Sequence, residues 1–76
     1  MKRWMRTDTV KLLDVVALLV DKPEEGLATG QVGTVVEVFS PDTFEVEFLD
    51  STGRTIALAE LQRHELLLLK HEPVAA

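Results

Sequence analysis

The sequence predicts a small all-β domain, and three observations carry the prediction. Phe44, Val46 and Phe48 alternate with Glu45 and Glu47, the two-residue period of a strand with one face buried. Short apolar runs rich in valine are separated by clusters containing Pro, Gly, Asp and Ser, which is how strands and turns are punctuated. Finally, 76 residues allow one domain at most, with a small and tightly used core.

Taken in order, residues 1–10 form a basic leader without apolar periodicity, read as a flexible end. Within it Trp4 stands out as a large apolar side chain, fit to tuck against the domain or to mark a contact. Leu12 to Val20 is apolar and stops at Asp21-Lys22-Pro23. Nine residues bounded by a Pro-containing loop favour a strand over a helix, placed at Asp14 to Val20. Residues 21–30, with one Pro, two Gly and four charges, are loop.

A second strand is expected from Gln31 to Phe39 and a third from Thr43 to Leu49, joined by the turn Ser40-Pro41-Asp42-Thr43 with Pro at the first corner. The next connection, Asp50 to Arg54, is a three-residue loop closed by Gly53 in the left-handed region. It pairs Leu49 with Thr55, Phe48 with Ile56 and Asp50 with Arg54, the last as a clamp on the hairpin neck. A fourth strand covers Thr55 to Ala59, one helical turn follows within Glu60 to Glu65, and a last strand covers Leu66 to Leu69. Residues 71–76 are a tail. The expected core is Val36, Val38, Phe44, Val46, Phe48, Ile56 and Leu58, with Val35 and Glu37 on the opposite face. Five short strands, a long first loop, two tight hairpins and one turn before the last strand make a five-stranded SH3-like barrel over residues 11–70. Closure of that kind hides sheet edges.

Composition narrows function. The formal charge is -5, but residues 12–76 hold four basic and twelve acidic side chains, a balance of -8. Such a body repels phosphate backbones, so nucleic acid is not an expected partner, and residues 2–11 alone could reverse that. There is no cysteine, which rules out disulfides and thiolate chemistry and fits a reducing cytoplasm. Lys11 and Asp14 interrupt the early apolar stretch, so no signal peptide or membrane span is expected.

The segments Lys11 to Leu19, Pro23 to Leu27, Gly30-Gln31-Val32-Gly33-Thr34-Val35-Val36-Glu37 and Phe44-Glu45-Val46-Glu47-Phe48 together resemble the bacterial and cyanobacterial family catalogued as domain of unknown function 4926. The resemblance spans roughly residues 11–70. It implies an SH3-like barrel, brings no catalytic residue or cofactor, and implies an antitoxin or immunity role beside a toxin-like or nuclease-like neighbour. The stretch from Gly30 to Val36 is also similar to the glycine-valine strand of KOW modules, at the level of fold alone.

No reactive constellation emerges. His64 and His71 have no zinc-like spacing, so no metal is assigned. Gly30 and Gly33 lack the Lys-Ser or Lys-Thr of a phosphate loop and read as strand start and close barrel contact. A barrel this small fills its interior and leaves no cavity of the roughly 300–1,000 Å³ used by small-molecule sites. The expectation is therefore a non-enzyme without cofactor. The informative cluster is Glu37, Glu45 and Glu47: if Val38 faces Phe44, Glu37 lies across from Glu45, where like charges oppose pairing. With Val35 and Leu49 on the same outer face, these residues are the candidate partner-binding set, and the partner is a protein with a basic surface. The alternative is an accessory docking subunit of a larger enzyme or complex. The neighbouring reading frame distinguishes the two.

Overall fold

A computed structural model describes residues 9–69 of the chain; the leader with Trp4, the tail and His71 lie outside the described residues. Five strands, β1 (Val15–Leu18), β2 (Val32–Ser40), β3 (Thr43–Leu49), β4 (Thr55–Gln62) and β5 (Leu66–Leu68), form one antiparallel sheet ordered β4-β3-β2-β1-β5. The only helical elements among the described residues are 3-10 turns at Pro23–Glu25 and Arg63–Glu65. The all-β class is thus established, and the strand order is consistent with a small SH3-like barrel. No helix among the described residues is long and apolar enough to cross a membrane.

The turns follow from their residues. Ser40 pairs with Thr43 around Pro41-Asp42; proline fixes a negative φ at the first corner, and Asp42 at the second has no positive φ either, as in the expected type I turn. Gly53 does sit at φ +88°, with its N–H donated to the Asp50 carbonyl. Asp50 and Arg54 meet across the neck through backbone: the Asp50 N–H donates to the Arg54 carbonyl, and the Asp50 carboxylate accepts the Arg54 N–H and both donors of Thr52. Those bonds, led by the Thr52 hydroxyl, hold the Asp50 pKa below the usual carboxylate value. β4 runs on to Gln62, past the expected end at Ala59, and the turn that follows closes with a reciprocal Gln62 and Glu65 capping box.

Three of the seven expected core residues are buried, and β-bulges account for three of the four that are not; Val38 keeps its expected place opposite Phe44 and is exposed there. Phe44, Val46 and Phe48 are fully buried, joined by Val10, Val16, Leu18, Leu27, Val35, Ala59, Leu61 and Leu66. Ile56 and Leu58 are instead exposed, Val36 is half-buried and Val38 is 41% exposed. β-Bulges explain the swap, because one extra residue in a strand reverses which side chains face inward. In β4 the ladder passes from Leu49 opposite Thr55 to Phe48 opposite Ala57, leaving Ile56 as the extra residue. In β2 it passes from Val35 opposite Val46 to Glu37 opposite Glu45, leaving Val36 extra, and Phe39 is skipped likewise before Ser40.

The polar residues drive these slips. Without the β4 bulge, a regular ladder would set Glu60 against Phe44 in the core; with it, Leu61 takes that place. Without the first β2 bulge, Thr34 would face Phe48; with it, Gly33 does. Burying a carboxylate or an unpaired hydroxyl costs several kcal/mol or about 1–3 kcal/mol respectively, more than an interrupted ladder.

Candidate functional site

The outer face of β2, β3 and β4 places three glutamates in one row. Glu37 pairs with Glu45, and Glu45 pairs with Glu60 on the far side. Glu37 and Glu60 are exposed and Glu45 is half-buried. One row along, Thr34, Glu47 and Leu58 align across the same strands, and the Glu47 carboxylate accepts a 2.6 Å hydrogen bond from the Thr55 hydroxyl. Leu49, Leu58 and Val32 are all about half exposed on this side of the sheet. The two bulges act differently on this face: the one at Ile56 in β4 turns Glu60 outward, and the one at Val36 in β2 turns Val35 inward while Glu37 keeps its place opposite Glu45.

Of the five residues singled out from sequence, Glu37, Glu45, Glu47 and Leu49 share this face. Val35 does not: it is fully buried against Val46, so it is core and cannot line a surface. Glu60 and Leu58 belong to the face and were missed. The signal for Glu60 was present in its charge, since a regular continuation of β4 would have buried it.

A second concave feature lies at the end of the β2–β3 hairpin. Val10, Leu12, Val38, Phe39 and Pro41, with Lys11 at the side, line an open groove of about 540 Å³. It is an open surface groove and not an enclosed cavity, so it does not bear on the expectation that the interior holds no cavity of small-molecule size. Val10, assigned to the leader from sequence, is one of the buried core residues. His64 lies exposed in the second 3-10 turn, and among the described residues no group of three metal-ligating side chains comes together.

The long β1–β2 loop is tied down by contacts of its own. Leu27 is buried and its backbone pairs with Lys22, while Asp21 accepts both donors of Thr29, which lowers the Asp21 pKa. Lys22 Nζ reaches the Glu65 carboxylate at 2.8 Å, joining this loop to the turn before β5.

Fold and surface together define a small all-β domain with an apolar core and an outer face that mixes carboxylates with exposed aliphatic side chains. Over residues 12–68 the chain matches the model of the family described as Domain of unknown function (DUF4926), and it belongs to that family. No curated protein and no solved structure matches it.

Proposed function

We propose that the chain is a non-catalytic protein-binding module whose β2–β3–β4 outer face, centred on Glu37, Glu45 and Glu60, docks a partner with a basic surface. The observation that carries this reading is the cross-strand row of three like charges. Directly opposed like charges destabilise a ladder by a few tenths of a kcal/mol to about 1 kcal/mol, and a cationic partner removes that cost on binding. Exposed Leu49, Leu58 and Val32 beside the row supply the apolar area that recognition surfaces combine with polar groups. The acidity of residues 12–76 steers a cationic protein toward the body.

The specific form of this role is the antitoxin or immunity half of a two-gene pair, acting in the cytoplasm, where a cysteine-free chain is at home. The test is a binding titration against the protein encoded in the adjacent reading frame, at low and high salt, with wild type and Glu37→Lys/Glu60→Lys. Both substituted residues are exposed, and the double variant turns a repulsive row into an alternating one, so folding is preserved. The expected result is slower association and a flattened salt dependence. A folded double variant with unchanged affinity and salt slope contradicts the reading and leaves the glutamates as a solubilising face.

A further inference from the structure

We propose that the groove at the β2–β3 hairpin end is the seat of the chain's own Trp4. The groove lining is mostly apolar, and its Leu12, Val38 and Phe39 side chains are each 41–56% exposed, so they form a contiguous uncovered apolar patch. Its floor is fixed. Val10 is buried at 3%, the Leu13 N–H donates to the Val35 carbonyl at 2.7 Å, and the Lys11 N–H donates to the Asp14 carboxylate. The backbone therefore arrives at the groove held by the core and by a tight turn, and Thr9, the first described residue, lies on the groove wall.

Chain length and chemistry select the occupant. Trp4 lies five residue steps before Thr9, a reach of at most about 18 Å, so the indole is confined to this end of the molecule. A tether that short holds it at a local concentration on the order of millimolar or above, which favours it over a free peptide or a second copy. An indole suits the lining: its ring covers aliphatic surface, and the Lys11 side chain on the groove wall offers a cation for the ring face. Lys2, Arg3 and Arg6 flank Trp4, and the body they approach carries four basic against twelve acidic side chains. Charge thus draws the segment inward. The groove and the acidic sheet face are separate surfaces, so this inference does not rest on the binding role above.

Trp4 is the only tryptophan and there is no tyrosine, so tryptophan emission reports this one side chain. In the full chain the native emission is expected to be blue-shifted from the urea-unfolded value, shielded from acrylamide and unchanged on hundredfold dilution. Val38→Asp moves it to the unfolded value while Leu67→Asp, on a distant strand, leaves it in place; far-UV circular dichroism checks folding. If Val38→Asp fails to fold, Phe39→Asp, at an exposed bulge residue, serves instead. A native emission equal to that of the unfolded chain overturns the proposal, as does a blue shift insensitive to the groove substitutions in folded protein. A red shift on dilution also overturns it, because the indole would then sit in a second copy.

Discussion

Gly33 lies directly opposite Phe48 in the β2–β3 ladder, and a Cβ built on that glycine would stand 2.9 Å from Phe48 Cδ2, 2.7 Å from Val46 Cγ1 and 2.8 Å from the Glu47 carbonyl oxygen. The glycine is there for space, since backbone as well as side chain closes over it. Gly33→Ala is expected to destabilise the domain by about 1–3 kcal/mol through overpacking, read as a lower urea midpoint at unchanged m-value.

Phe48 has Ala57 on its other side, so one large ring fills the space between two small residues. Phe48→Ala should cost about 3–5 kcal/mol, much of the roughly 5–15 kcal/mol that a domain holds in total. Thermal unfolding followed by far-UV circular dichroism decides this, and a melting temperature near that of wild type would mean that Phe48 is not central to the core.

Two turns make the same left-handed demand and meet it with different residues. Leu13 occupies the third position of the Lys11–Asp14 turn at φ +73°, closed by the Asp14 N–H to the Lys11 carbonyl, where glycine is the usual occupant. Because Leu13 is 68% exposed, little burial is lost on its removal. Relief of about 1–2 kcal/mol of left-handed strain exceeds the added backbone entropy of about 0.5–1 kcal/mol. Leu13→Gly is therefore expected to stabilise by up to about 1 kcal/mol. Gly53→Val, at φ +88°, should destabilise by about 1–3 kcal/mol. Parallel denaturation curves of the two variants check both signs.

The Lys22 to Glu65 contact makes stability depend on pH at both ends. Burial pushes the Glu65 carboxyl up, but the Gln62 N–H and the Lys22 ammonium outweigh it and the pKa falls below the usual glutamate value. Hydrogen bonding to Glu65 raises the Lys22 pKa above the usual 10.5. A depressed carboxyl pKa gives stability that is present above the unfolded value and lost as pH falls through the folded one. A raised lysine pKa gives stability that is present below the unfolded value and lost as pH rises through the folded one. Glu65→Gln should therefore lower the melting temperature near neutral pH and make its decline between about pH 5 and pH 3 shallower. Equal slopes in wild type and variant would remove the contact from the stability account.

How much of this was legible in the sequence depended on whether a residue's neighbours were local. The β3 face was plain because Phe44, Val46 and Phe48 alternate without interruption, and the Asp50 to Arg54 loop was plain because Gly53 closes it within a few residues. The β4 face was not, because the extra residue at Ile56 answers a partner strand: it removes Glu60 from the Phe44 row and brings Leu61 in. The same holds in β2, where Glu37 was correctly set outward but Val35 was set outward with it, on the far side of a bulge. Apolar residues at every position from Val35 to Phe39 except Glu37 carry no parity of their own. The acidic candidates survived because charge keeps its side of the sheet whatever the register, and the one apolar candidate that failed, Val35, had no such constraint.

The central claim is that the Glu37, Glu45 and Glu60 row is the surface that meets a basic protein. The most direct measurement is a chemical-shift titration of the isotope-labelled chain with the protein encoded in the adjacent reading frame, reading every backbone amide at once. The expected perturbations map to Thr34, Glu37, Glu45, Glu47, Leu58 and Glu60, with the Lys22 to Leu27 loop on the margin and unaffected. Perturbations confined to the β1–β2 loop or to the Val38 to Pro41 groove, with the glutamate row silent, would contradict the claim.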